Sequence, residues 1–476
     1  MLIYNIGLDL ALLLVFLLIA RKRREHEAQE TFLAEQELFM GRLAEQYGRC
    51  RDMEEALEKS AGGFGTLLQR EAARILAALS SDEFSGEAGS YARGAQNSYF
   101  VLLFTLCQTI RTFGDMQVAG VSLFVHNIRY IREELRIELL RRQEGRYAFL
   151  GLTMLSILPF FFTVVIRFWS GSISVELDRY YGGAYGFAVL TVCFFLTLLS
   201  AFFVQELQYP TMQKPGGDAA EKRLLGIPLI RALIDRHIAR HYSHYLKKNE
   251  TLKKLQGFGN IREFFVRKLL TAALLAPGLW MVICGSALAG GSFPVGGAAF
   301  AFLTLCAMAL GYVLPDAWAI LLQAHVERQE MEETMRFQTL VLIVRNYRQI
   351  TVEEILHRME CFSSVFSRAF QRAVDDFPYR RREALERLKE ELGYEPAKKL
   401  VDGLLACDET AVAQAFYDME GERAYDMEQY QKKEQAAQRE KAALARIVAF
   451  LPFVAVLALW MIVPFVMEGL TQLRSY

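Results

Sequence analysis

With 476 residues, 53% of them hydrophobic and only 11 prolines, the chain is richer in apolar side chains than an ordinary soluble protein and long enough for two or three domains. Its 54 basic and 54 acidic residues cancel, which excludes a global field of the kind that recruits nucleic acid. The seven cysteines (Cys50, Cys107, Cys193, Cys284, Cys306, Cys361 and Cys407) stand singly with no C-x-x-C pair, so neither a disulfide framework nor a zinc knuckle is expected.

A helix rises about 1.5 Å per residue, so about 20 apolar residues cross the hydrocarbon layer of a bilayer. About six stretches qualify: Leu2 to Ala20, Ala148 to Phe168, Ala184 to Val204, Leu269 to Leu288, Gly297 to Leu322 and Ile447 to Met467. The sequence therefore predicts an all-α, polytopic membrane protein. Behind the first run come Arg21, Lys22, Arg23 and Arg24, the reverse of the charge order in a secretory signal. The run reads as an uncleaved anchor with its amino terminus outside, because Lys and Arg resist translocation.

Counting forward, residues 21–147 are expected in the cytoplasm and 148–204 form a transmembrane hairpin around an external loop at Trp169 to Gly183. A basic cytoplasmic connector follows at 205–268. It passes the test that cations crowd the inner side, with Lys222, Arg231, Lys247, Lys253, Arg267 and Lys268 among many. A second hairpin at 269–322, a second cytoplasmic segment at 323–446 and a last span with an external tail at 447–476 complete the order.

The two long cytoplasmic segments look alike, as copies of one helical bundle would. In the first, a helix ending near Tyr47 restarts at Asp52-Met53-Glu54-Glu55; in the second, a helix ending near Tyr347 restarts at Thr351-Val352-Glu353-Glu354. Asp52 with Glu55, and Thr351 with Glu354, have the spacing of a capping box, in which cap and Glu satisfy each other's free backbone N–H groups. Each segment then ends in a charged helix that runs without a breaker into an apolar run, through Pro159 in one case and Pro452 in the other. With these prolines matched, Arg146 falls on Arg439. Between the landmarks the copies differ, the first having a Ser/Gly-rich stretch from Ser80 to Ser98 that reads as a loop. Each copy is reached from one span and left by another, so the repeat is parallel, unlike the inverted repeats of many transporters. From Glu420 to Met467 an unbroken helix would be about 70 Å long, with Glu428 and Lys432 one turn apart to support it in water.

No catalytic, cofactor-binding or metal-binding motif is found: G-x-x-x-x-G-K-[ST], G-x-S-x-G and H-E-x-x-H are all missing. His237, His241 and His244 share a helical face as metal ligands would, but Arg236, Arg240, Lys247 and Lys248 around them oppose a divalent ion. A basic helix on an anionic leaflet is the better reading. Asp9, an ionisable residue within the first span, is a functional candidate or an interfacial group near the outer end. Arg167, near the outer end of the second span, fits snorkelling. Gly285, Ser286, Ala289 and Gly290 give small-x-x-x-small spacing, a seam for close helix packing.

The fifth span ends in Gly311-Tyr312-Val313-Leu314-Pro315-Asp316-Ala317-Trp318, followed by a charged stretch, the second helical segment and its outgoing span. This order resembles the F-domain family, the platform proteins of type II secretion and type IV pili, and especially those of tight-adherence pili. In that family a Gly-Tyr-x-x-Pro-like turn at the inner end of a span, here Gly311, Tyr312 and Pro315 with Trp318 beside them, leads into a cytoplasmic helical bundle. The resemblance is clearest from Gly311 to Leu470; the stretch Arg328 to Arg348 lacks the Leu-Pro-Asp-like turn the family would place there. It implies a non-catalytic scaffold in the inner (cytoplasmic) membrane, without cofactor, coupling a cytoplasmic secretion ATPase to the assembly of pilin-like subunits. Self-association, or pairing with a related platform protein, is implied as well. An envelope or sporulation scaffold built on the same domain is the alternative, and a transporter a more distant one, since few polar residues line the spans.

Overall fold

The computed structural model describes residues 2–80, 91, 94–118, 120–173, 175–209, 234–236, 262, 264–273, 297–347 and 349–475. As expected, the fold is all-α. Among the described residues the one sheet is an antiparallel ribbon, β1 (Gln117–Val118) on β2 (Val121–Ser122), turned by Gly120 at φ +78°. Four helical stretches are long and apolar enough to cross a membrane: Tyr4–Cys50, Leu123–Ile173, Tyr185–Gln208 and Met419–Leu473. Of the remaining expected spans, residues 274–296 lie outside the described residues, and Gly297 to Leu322 is the first part of a 48-residue helix, Gly297–Val344.

The chain divides into two compact units. The first comprises Met1–Lys22, Gly145–Val326 and Gln438–Tyr476. Its core gathers Leu12, Phe160, Leu177, Tyr181, Leu190, Cys193 and Trp460. Around it Leu10, Leu14, Leu17, Val165, Phe202 and Val454 turn outward, each more than half exposed. An apolar surface of that extent suits lipid rather than water.

Two expectations fail in this unit. The helix expected to run unbroken to Pro159 stops: α5 (Leu123–Ala148) gives way to a turn, and α6 (Leu152–Ile173) starts afresh. Gly151, at φ +80°, supplies the left-handed residue that such a break needs. The expected external loop at Trp169 to Gly183 is instead helical, as the end of α6 and α7 (Val175–Gly182), before α8 (Ala184–Gln208) begins. Leu177 and Tyr181 bury into the core, which a solvated loop would not do. The tight passage depends on Gly186, where a Cβ would stand 2.1 Å from the Tyr181 carbonyl oxygen.

The second unit comprises Arg23–Glu144 and Glu327–Ala437. From the first segment it takes the later part of α1 (Leu2–Cys50), α2 (Met53–Ala61), α3 (Thr66–Ser80), α4 (Ser98–Phe113) and most of α5. The stretch 81–90, within the expected Ser/Gly-rich loop, lies outside the described residues. Residues 264–273 form α9, after which α10 (Gly297–Val344) leads to α11 (Val352–Phe362), α12 (Ser367–Asp376), α13 (Arg381–Glu391), α14 (Glu395–Ala406), α15 (Val412–Ala415) and α16 (Met419–Ala455).

The two segments 21–147 and 323–446, read from the sequence as separate bundles, fold around one continuous core. Phe39, Leu57, Ile75, Phe104 and Phe124 join Phe337, Leu356, Phe370, Leu385 and Leu404 in it. The reason lies in α10, where Leu340 to Val344 are all buried: a helix apolar on every side needs neighbours on every side. Between the segments Phe113 packs on Tyr347 at 5.5 Å, and Arg358 donates to the Thr109 hydroxyl at 2.8 Å.

Candidate functional site

Proline inside a helix removes an N–H and leaves the carbonyl four residues back without its partner. Within a bilayer no water meets that need, so a neighbouring hydroxyl must. The first unit does this three times. Pro315 frees the Gly311 carbonyl, which accepts from the Thr271 hydroxyl of α9 at 2.7 Å. Pro452 frees the Val448 carbonyl, which accepts from Ser200 of α8 at 2.8 Å. At Pro464, which follows a stretch whose bonds run five residues back, the Leu459 carbonyl accepts from Tyr185 at 2.5 Å and the next carbonyl, that of Trp460, accepts from Tyr181 of α7 at 2.9 Å.

Ahead of Pro464 the helix widens: Val456–Ile462 is π-helical between α16 and α17 (Val463–Ser475). Trp460, fully buried there, donates its indole N–H to the Thr163 carbonyl at 2.9 Å. The rod expected from Glu420 to Met467 is helical throughout, but with a π segment, a widening of the kind at which helices kink. Pro159 sits inside α6, near Ser156, whose hydroxyl lies 3.1 Å from that of Ser200.

The Gly311 to Trp318 signature is helical rather than a turn. α10 runs through Gly311, Tyr312, Pro315 and Trp318 without interruption, because Thr271 repairs the proline gap. Beside it Lys268, one of the cations of the basic connector, is only 6% exposed. It pairs with Asp316, and its ammonium stands 4.2 Å from the Tyr312 ring centroid. A buried ammonium requires such a counter-charge, and the ring face adds to it.

The second unit carries a polar seam between α5, α10 and α16. Arg423, 3% exposed, donates to the Tyr130 carbonyl (3.1 Å), to the Thr339 hydroxyl (3.0 Å) and to Glu134 (3.3 Å). Burial outweighs Arg423, the Thr339 hydroxyl and Arg336, and holds the Glu134 carboxyl above its ordinary value. Further along, Glu332 binds Arg141 and accepts from the Tyr430 hydroxyl at 3.0 Å. Burial pushes Glu332 up too, but Arg141 and Arg336 with the Tyr430 hydroxyl prevail and hold it below its ordinary value. Glu333 closes the set: its carboxylate accepts from the backbone of Ser364, Val365 and Phe366, at 2.8 to 3.2 Å, fixing the start of α12.

Half of each expected capping box forms. Asp52 accepts from the N–H groups of Glu54 (2.8 Å) and Glu55 (3.0 Å), and Thr351 accepts from that of Glu354 (3.3 Å). The glutamates turn away from their caps, Glu55 to Lys59 and Glu354 to Arg358. A cation one turn on competes for the carboxylate better than a solvated N–H does. The Glu428–Lys432 pair is present at 2.7 Å.

Asp9 is half-buried in α1 with Oδ1 unpartnered, and Arg167 is half-buried in α6. His237, His241, His244, Gly285, Ser286, Ala289 and Gly290 lie outside the described residues. Among the described residues no group of three His, Cys, Asp or Glu side chains is placed to hold a metal. The roles of Ser200, Thr271, Tyr181 and Lys268 are not legible in the sequence, because a hydroxyl's or ammonium's partner on another helix leaves no local signal. Glu134 had one, a carboxylate beside the apolar stripe of Ile128, Ile131 and Leu135. No protein-family model matches the chain, and comparison with curated proteins and with solved structures finds no match.

Proposed function

We propose that the chain is a non-catalytic platform protein of a type II secretion or type IV or tight-adherence pilus machine, with about six spans in the cytoplasmic membrane. Its second unit lies in the cytoplasm as an internal duplication, and both termini lie outside. In this reading the duplicated bundles engage a cytoplasmic ATPase, and the spans guide pilin-like subunits, hydrophobic helices themselves, sideways into a filament base.

The observation that carries the reading is a shared register. The outgoing helices α5 and α16 touch through Tyr130 with Arg423, Glu134 with Arg423, Arg141 with Tyr430 and Glu144 with Gln435, and these partners lie 289 to 293 residues apart. Pro159 and Pro452 are 293 apart. The ingoing helices repeat the pattern: Glu37 of α1 meets Arg132 of α5 at 2.7 Å, and Gln338 of α10 meets Asp426 of α16 at 2.8 Å. Moving Glu37 by the 300 residues between Tyr47 and Tyr347, and Arg132 by 293, gives 337 and 425, one step from the second pair. In this reading two like-facing copies side by side suit a scaffold that transmits force, and the prolines within the helices supply places where the spans can bend.

Reporter fusions after Arg24, Gly183, Lys248, Ser292 and Tyr476, with a gene deletion scored for surface filaments, test the reading. Cytoplasmic signals only after Arg24 and Lys248, with loss of filaments, are expected. Filaments unchanged in the deletion strain would remove the pilus function, and an external signal after Arg24 would remove the topology.

A further inference from the structure

At the junction of α1 and α2 a cleft of about 690 Å³ opens in the second unit. Its floor is apolar where Leu79 and Ile110 lie, and polar where Tyr47 and Asp115 lie; Met53, Glu54 and Arg111 stand on its rim. That size and mixture are typical of a binding cleft.

Arg51 crosses it. This is the one described residue other than glycine with positive φ, at 60°, in the position after α1 where its N–H bonds the Tyr47 carbonyl at 2.9 Å. Glycine is the usual occupant of such a helix end, and a side chain there is strained. What the side chain does is reach Asp115, with Nη1 3.0 Å from Oδ2. Asp115 is itself held, Oδ1 accepting the Phe124 N–H at 3.2 Å.

We propose that this cleft binds a lysine or arginine side chain carried on a segment of a partner protein, and that Arg51 occupies its place until the partner arrives. The exchange leaves the charge on the buried floor unchanged, one cation replacing another at Asp115, so no new carboxylate is desolvated. Displaced into water, Arg51 leaves Asp115, Asp52 and Glu54 facing the incoming cation, against Arg111 alone. The stem of the incoming side chain lies on Leu79, Ile110 and Met53. An anionic ligand would meet three carboxylates, and a bare metal ion would leave the apolar floor uncovered. The inference does not rest on the secretion reading.

The test uses the full chain in detergent micelles, with the blocked peptide acetyl-Leu-Arg-Leu-amide as probe and its citrulline counterpart, of equal shape but uncharged, as control. Calorimetric titration is expected to show Arg51→Gly binding the arginine peptide about ten-fold tighter than the parent, because competitor and strain go together. Asp115→Asn is expected to weaken it about ten-fold or more. Glycine suits the backbone at position 51, so that variant folds even where Asp115→Asn fails to. Weaker, unchanged or undetectable binding in Arg51→Gly, or equal binding of the citrulline peptide, overturns the proposal.

Discussion

Replacing Arg423 with Met would strip Glu134 of its counter-charge in the middle of the polar seam. Both side chains are more than nine-tenths buried, so solvent can screen little of the loss. Breaking a buried pair costs about 3 to 5 kcal/mol; Glu134, already held above its ordinary value, escapes part of this by taking up a proton, which favours about 3 kcal/mol. For a unit of this size that is a fall of about 10 °C in Tm. Helix loss followed by circular dichroism in detergent measures it, with Glu134→Gln/Arg423→Met expected to recover more than half. The pH dependence has a definite sign. A carboxyl whose folded value lies above its unfolded 4.5 adds stability below about pH 4.5 and loses it as pH rises through the folded value. The difference in stability between the parent and Glu134→Gln should therefore grow in the parent's favour on acidification. A Tm for Arg423→Met within about 1 °C of the parent, or a difference independent of pH, would show that the seam is not held as described.

Removing the hydroxyls that repair the proline gaps, by Ser200→Ala or Thr271→Val, is expected to lower stability by about 1 kcal/mol each, read as faster proteolysis of the detergent-solubilised protein. Ser200→Ala in a chain that also carries Pro452→Ala should cost much less, since the Val448 carbonyl then has its own N–H donor. Gly403→Ala places a Cβ 2.3 Å from the Phe416 ring, an overpacking worth about 1 to 3 kcal/mol, seen as a lower Tm of the second unit. Thr351→Ala should cost about 1 kcal/mol by the same assay. Glu354→Gln tests the half-formed capping box: it should leave the cap intact and loosen only Arg358, which still holds Thr109.

Of the candidate site, the sequence showed the scaffold and not the contacts. Pro315 was visible in the signature that closes the fifth apolar run and Pro452 as a landmark where a charged helix enters the last one, because proline's missing N–H is a property of one residue. Which hydroxyl would repair each gap was not, since Thr271 and Gly311 are 40 residues apart and Ser200 and Val448 are 248 apart. Asp52 and Thr351 were legible as caps because capping is decided within four residues, whereas the partners of Glu55 and Glu354 were decided by Lys59 and Arg358 on the next turn. The burial of Lys268 was not legible for the same reason: by composition it is one cation among many, and its partners Asp316 and Tyr312 lie on another helix.

The sequence by itself determined what depends on local periodicity and composition: helix nearly everywhere, apolar runs long enough to cross a bilayer, and caps at 52 and 351. It also carried the matched spacing of Tyr47 with Tyr347 and of Pro159 with Pro452. Only the tertiary structure decided that the two long polar segments form one unit around one core, that Trp169 to Gly183 is helical and buried in part, and that Gly151 breaks the first outgoing helix. Helix propensity is set by neighbours along the chain. Burial of Leu340 to Val344 on every side, or of Arg423 against Glu134, is set by segments hundreds of residues away, and no local pattern encodes them.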